Sequence, residues 1–245
     1  MSNSWKFAAS ALVGAAIAVG TVYGMALSGN LPGAGDAQMH AYLMAHPEVL
    51  ADMQQKLQAQ QDASDDAARQ AAVDKLGMNT FFDPKLAFVT GPEDAKTTIV
   101  EFFDYNCPFC RASLPAVQKF YSQHKATTRF AFIEFPIKGP DSIIAARAAL
   151  AARRQPDKYM PFHFALMSEE NIVDQNLIYA DAAKVGLDVA KLKADMNDPE
   201  IARAVDASLA LAHKAAIDGT PAFIINGRIR EGALDDDILG RLTKS

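Results

Sequence analysis

The chain has 245 residues, half of them hydrophobic, and a formal net charge of −5. That length suits one large domain with a smaller appendage and a sizeable core. Its 29 acids outnumber 24 dispersed lysines and arginines, which argues against a nucleic-acid partner.

Residues 7–27 carry no charge and are rich in Ala, Gly and Val. The stretch approaches the roughly 20 residues of a bilayer-spanning helix and exceeds the roughly 7–15-residue apolar region of a secretory signal. Lys6 precedes it and no Lys or Arg occurs again until Lys56, so the positive-inside bias places the remainder of the chain outside the cytoplasm. Gly24-Met25-Ala26 also puts small residues at a signal cleavage position. Residues 1–28 therefore read as an inner-membrane anchor or as a cleaved signal. Either way the body is exported, and in a bacterial periplasm dithiols can be kept oxidised.

A Gly/Pro-rich linker is expected over 29–37, then a helical stalk over 38–80. In the stalk Met39, Leu43, Leu50, Met53 and Leu57 fall on three- and four-residue steps, with His46 interrupting. This face either packs on its own domain or self-associates through Leu43, Leu50 and Leu57, giving a homo-oligomer through residues 39–60.

Residues 81–245 read as an α/β domain. Leu86 to Val89 is a short strand, Gly91-Pro92 a turn, and Thr97 to Tyr105 a buried central strand rich in β-branched and aromatic residues. Pro108 suits the first turn of the next helix, which should reach about His124 with a kink at Pro115. Arg129 to Pro136 is the next strand. Residues 140–217 are Ala-rich and helical, broken near Pro156, Pro161, Gly186 and Pro199. Pro221 to Asn226 returns to strand, Asn226-Gly227 signals a two-residue hairpin, and Leu234 to Leu242 closes with a helix. Asp235, Asp236 and Asp237 suit that helix's positive end rather than a metal. The order is β-β-α-β, a helical block, then β-β-α.

Cys107 and Cys110 are the only cysteines. Their loop is too short to staple a fold, and they supply two of the four ligands of a structural zinc. The five histidines show no ligand spacing, so neither metal nor cofactor is expected. Dithiol chemistry remains. A strand-to-helix junction presents unpaired N–H groups and about half a positive charge to Cys107, and cysteines so placed have pKa values of roughly 3.5–7.5. Cys107, taken as the more exposed of the two, is expected to be the attacked sulfur and Cys110 to resolve the mixed disulfide. Asp104 is expected to cap or turn the backbone. Read from its strand alone, Glu101 either faces solvent at a sheet edge or is buried.

The run Val100-Glu101-Phe102-Phe103-Asp104-Tyr105-Asn106-Cys107-Pro108-Phe109-Cys110 resembles the active-site strand and helix of the DsbA-like thiol:disulfide oxidoreductases. Gly219-Thr220-Pro221-Ala222-Phe223 resembles that superfamily's cis-proline loop. The resemblance covers about Lys85 to the C-terminus and implies a thioredoxin fold with a helical insertion. It implies a cis Pro221 opposite the dithiol and a Thr220 backbone that pairs with an extended client peptide. It also implies that Glu101 is a buried acid relaying the proton of Cys110, and that Pro108 and Phe109 border the substrate site. Clients with cysteine thiols and a membrane or soluble redox partner are implied in the same way. Phe109 departs from the strongly oxidising relatives, which carry His there, and implies a milder oxidant. An oxidase is the leading expectation; a disulfide isomerase or reductase and a peptide-binding chaperone are the alternatives.

Overall fold

The computed structural model describes residues 34–243. The expected anchor or signal over 1–28, with Ala26, lies outside the described residues. No helix among them is long and apolar enough to cross a membrane. Two compact units divide between Ala63 and Ser64.

The first unit holds α1 (Ala34–Ala45) and the start of α2 (Glu48–Leu76). Helix thus begins inside the expected linker. The break between α1 and α2 falls at His46-Pro47 because proline lacks an N–H and disfavours a helical residue before it. Met39, Leu43, Met44, Leu50, Met53 and Leu57 are all 39–71% exposed.

The second unit starts earlier than the expected boundary at residue 80, because the end of α2 joins its core. Val73 is buried together with Phe81 and Phe82; Phe81 ends the single-turn α3 (Met78–Phe81). Gln70 ties α2 to the distant hairpin at Asn226-Gly227, donating to the Gly227 carbonyl at 2.8 Å and accepting from the Ile229 N–H at 3.1 Å. Arg69 faces Asp218 at 3.6 Å and Glu231 at 3.3 Å.

Five strands form the sheet: β1 (Ala87–Thr90), β2 (Thr97–Phe103), β3 (Thr128–Glu134), β4 (Ala222–Ile225) and β5 (Arg228–Glu231). Their order is β1-β3-β2-β4-β5. β2 and β3 run parallel, joined by α4 (Pro108–His124), and the other pairs are antiparallel. Gly91 is required between β1 and β2: its φ is +88°, and a Cβ there would lie 2.0 Å from the Thr128 carbonyl oxygen. Asn226 and Gly227 both take positive φ in the β4–β5 turn, as a type I′ hairpin requires. α4 continues past Pro115 to His124.

Alternation along the strands divides the core. Ile99, Phe103, Phe130, Phe132, Phe223 and Ile225 belong to the cluster containing both cysteines and much of the insertion. Val100, Phe102, Ala131, Ile133, Ala222 and Ile224 pack with Val73, Phe81 and Leu211 on the other side. The insertion comprises α5 (Pro140–Ala152), α6 (Tyr159–Met167), α7 (Gln175–Lys184), α8 (Val189–Met196) and α9 (Pro199–Lys214). Asp174, Asp188 and Asp198 cap the last three through their side chains. α10 (Asp236–Leu242) closes the chain, with Asp235 accepting from the Ile238 N–H at its start and Asp236 paired to Lys119 at 2.6 Å.

Candidate active site

β2 ends at Phe103, and Cys107 is the N-cap of α4 with extended backbone, followed by Pro108 at the first helical position. Proline is suited to that place because its missing N–H would have had no helical partner. The two cysteines are free thiols. The Cys110 thiol donates to the Cys107 sulfur, and together with the N–H groups of Cys110 and Phe109 it brings the Cys107 pKa down to about 5, against the opposing effect of burial. Cys110 is driven the opposite way: burial, above all, pushes its pKa well up. One sulfur is set to be a thiolate and its neighbour to hold a proton.

Cys107 is not the exposed member of the pair. It is 0% exposed and Cys110 1%. The Cys107 Sγ lies 3.1 Å from the carbonyl oxygen of Thr220, whose peptide bond to Pro221 is cis. This loop, 113 residues downstream, closes over the sulfur. Pro108 and Phe109 are exposed instead, Phe109 to 63%.

Glu101 is buried and, like Ile99 and Phe103, belongs to the α4 side of the sheet by strand alternation. β2 has a neighbour on each side, so this is not an edge position. Its Oε2 is shielded and has no hydrogen-bond partner, and burial raises its pKa to about 8. Glu101 in turn contributes to raising Cys110. A proton acceptor that titrates near neutrality therefore lies electrostatically coupled to the resolving cysteine.

A second buried carboxylate, Glu134, is one that sequence reasoning misses. It accepts from the Tyr159 hydroxyl at 3.2 Å and from Tyr105 at 3.3 Å, and the Tyr105 hydroxyl also lies 3.0 Å from His163 Nδ1. Burial raises Glu134 well above the ordinary carboxylate range and lowers His163 to about 3, so the imidazole is neutral near pH 7. The available signal is strand parity: Glu134 alternates with Phe130 and Phe132, as Glu101 does with Ile99 and Phe103. Tyr105→Phe deprives His163 of its partner and Glu134 of one donor. It should cost about 1–3 kcal/mol, measured by urea unfolding; a loss below about 0.5 kcal/mol would show that the cluster is not a stabilising network.

Among the described residues no group of His, Cys, Asp and Glu is arranged to hold a metal ion. What the site brings together is a dithiol at a helix start, a cis-proline loop against the first sulfur, and a buried acid electrostatically coupled to the second.

These features define the thioredoxin class of proteins. Residues 84–244 match the thioredoxin family, and residues 36–63 match the copper resistance protein ScsC N-terminal domain. The chain belongs to the thioredoxin family, within its DsbA-like group of thiol:disulfide oxidoreductases. It is similar to a probable disulfide bond formation protein D of Bacillus anthracis, 30% identical over 59% of this chain and 72% of that protein. Among solved structures it resembles a thioredoxin-like oxidoreductase from Silicibacter pomeroyi, with 39% identity, TM-score 0.61, and 67% of this chain and 93% of that one covered. It also resembles Proteus mirabilis ScsC, with 28% identity, TM-score 0.64, and 85% and 93% covered. The curated relatives matched first are Na(+)/H(+) antiporters named NhaA, of whose length the chain spans about a quarter.

Proposed function

We propose that this protein is an exported thiol:disulfide oxidoreductase that passes the Cys107–Cys110 disulfide to cysteine thiols of client proteins. The observation that carries this reading is the dithiol at the start of α4 against the cis Thr220–Pro221 bond, with Cys107 lowered to about 5 and Cys110 pushed up. In the forward direction a client thiolate attacks the Cys107 sulfur. The Cys107–Cys110 bond breaks, and its electron pair leaves on Cys110. A second client thiolate then attacks the client sulfur of the mixed disulfide and releases Cys107 as a thiolate. The client gains a disulfide and the protein ends as a dithiol, two electrons richer. A low Cys107 pKa favours this direction because it stabilises the reduced form.

Thr220 and Pro221 border Cys107 and are proposed to receive an extended client segment, with Pro108 and Phe109 as the exposed rim. Export, with residues 7–27 retained as an anchor or removed as a signal, belongs to the same proposal, as does a membrane or soluble partner that restores the disulfide. The direct test incubates oxidised protein with a reduced, unfolded client and follows client disulfides by alkylation. Stoichiometric transfer is expected; a client that stays fully reduced overturns the reading.

A specific observation favours a second reading, a disulfide isomerase. The apolar side chains of α1 and early α2 are exposed, and the same residues match the N-terminal domain named for ScsC. We infer a homo-oligomer built through Leu43, Leu50 and Leu57. Light scattering on residues 29–245 should give more than one copy, falling to a monomer in Leu50→Asp. A monomer in the parent protein removes the basis for the second reading.

Phe109 bears on the direction of exchange. Its side chain is exposed, so Phe109→His can be introduced without disturbing the core. An imidazolium there would stabilise the Cys107 thiolate. The reduction potential should rise, by about 30 mV for each tenfold change in the equilibrium constant with glutathione. An unchanged or lower potential would contradict this.

A further inference from the structure

Two arginines of the helical insertion have opposite surroundings. Arg154, just past the end of α5, faces Asp198 at 2.8 Å, Asp195 at 3.3 Å and Glu200 at 3.4 Å. Arg147, within α5, forms no ion pair or hydrogen bond through its side chain with any described residue, and its Nε is shielded from solvent without a partner. A guanidinium cannot shed its charge to relieve this. A shielded cationic donor with nothing to accept from it is unfavourable, and an incoming acceptor would remove the penalty.

Arg147 lines a cavity of about 310 Å³ between α5, α7 and α8. Lys193 of α8 lines it too, with its Nζ 4.2 Å from the ring centroid of Tyr179 on α7, which steadies the ammonium by a cation–π contact. The Tyr179 hydroxyl accepts from Gln175 Nε2 at 2.8 Å, which leaves its own hydrogen free to donate. Among the described residues no carboxylate lines this space. The nearby acids are engaged elsewhere: Asp195 pairs with Lys191 at 2.7 Å as well as with Arg154, and Asp198 pairs with Arg154. A guanidinium, an ammonium and a hydroxyl from three helices thus border one small cavity, and their positive charge is unbalanced.

We propose that this cavity binds a phosphoryl dianion, either inorganic phosphate or the head of a small phosphate monoester. Two uncompensated cations match a group that carries about −1.5 to −2 charges at pH 7. The planar fork of arginine takes two phosphate oxygens at once, and lysine acts as a point charge. A phosphoryl group offers three strong acceptor oxygens, one more than a carboxylate, so it can serve Arg147, Lys193 and Tyr179 together. Ile144 and Met196 add an apolar wall for the organic part of an ester. The lining residues include none of the dithiol or the cis-proline loop, so the site stands independently of the exchange reading.

Isothermal titration of the full chain with inorganic phosphate and with phenyl phosphate tests this. At least one should bind saturably, one per chain, with a Kd below about 1 mM; the tighter of the two identifies the source as free phosphate or an organic monoester. Succinate, a dianion with carboxylate oxygens only, should bind at least about tenfold more weakly than the tighter probe. Arg147→Gln and Lys193→Gln should each weaken binding by at least about tenfold, the scale of one hydrogen bond to a charged group. Both variants should leave the reduction of the disulfide by dithiothreitol at the wild-type rate. Absence of binding by both phosphates, succinate binding as tightly as either, or full affinity in Arg147→Gln would each overturn the proposal. If Arg147→Gln does not fold, Lys193, whose side chain is exposed, supplies the test: full affinity in Lys193→Gln overturns it instead.

Discussion

Cys107→Ser is expected to lower client oxidation by at least about a thousandfold. Cys110→Ser has no disulfide to donate and should oxidise no client either, but its Cys107 thiolate should still attack a client disulfide, expel one client thiolate and stall as a mixed disulfide. The asymmetry arises from the two environments. With a pKa of about 5, Cys107 is roughly 99% thiolate at pH 7, against roughly 3% for an ordinary thiol with a pKa near 8.5. A serine hydroxyl forms no disulfide, so nothing replaces it. Cys110 is buried, and in the reaction with a client disulfide it supplies the attack that clears the mixed disulfide, so its loss leaves the coupling step at Cys107 intact. Alkylation of the reduced protein by iodoacetamide should plateau above about pH 6 and fall with a midpoint near 5. A midpoint near 8.5 would mean that the cradle of N–H groups and the Cys110 thiol does not act on Cys107. The same depression carries a sign for stability. A folded-state pKa below the unfolded one adds stability that is fully present above the unfolded value and is lost as pH falls through about 5. At pH 7 this is about 2–3 kcal/mol in favour of the reduced fold, absent from the oxidised form, which has no thiolate to stabilise. On the proposed reading, that difference draws electrons onto the protein and favours client oxidation.

Much of this site is legible in the sequence because its parts are local. Cys107 and Cys110 at a strand–helix junction, Pro108 behind them, Thr220-Pro221 before a strand and Asn226-Gly227 in a hairpin each carry their signal within a few residues. The order of strands and helices rests on the same local patterns. What escapes depends on segments far apart in the chain. Cys107 reads as accessible because nothing near it shows that the Thr220 carbonyl will close on its sulfur. Glu134 reads as an ordinary strand acid until Tyr105, Tyr159 and His163 converge on it from other segments. The polar surface of α2 conceals Val73, Gln70 and Arg69, so the stalk reads as reaching residue 80. Asp104 is legible as a turn residue, but the donors on its second oxygen come from Ile137 and Lys138, beyond β3.

Glu101→Gln is expected to alter both the energetics and the rate of this protein, and pH separates the two. Glu101 ordinarily titrates near 4.5 and is raised to about 8 by burial. Between those values the folded protein holds a proton that the unfolded chain has released. Stability therefore falls as pH rises through this window, by up to about 4 kcal/mol at pH 8 for a shift of this size. Glutamine has no such proton. The stability of the variant relative to wild type, from urea unfolding of the oxidised proteins, should be constant below about pH 4 and climb steadily towards pH 8. Taking the difference cancels Glu134 and every other group common to both. In the reduced wild type the Cys107 thiolate contributes a rise over much of the same range, so its curve should be flatter than that of the oxidised form. The kinetic effect lies on the return half of the cycle. Cys110 must lose a proton to attack the mixed disulfide on Cys107, and Glu101 is the buried base coupled to it. Its removal should slow that resolution about a hundredfold at pH 7, with the deficit shrinking at high pH as hydroxide takes the proton instead. A variant whose stability difference is flat from about pH 4 to 8 would show that Glu101 is solvated. A variant with the expected stability profile but wild-type resolution at every pH would leave the acid buried and remove it from the proton path, with Cys110 then served by solvent alone.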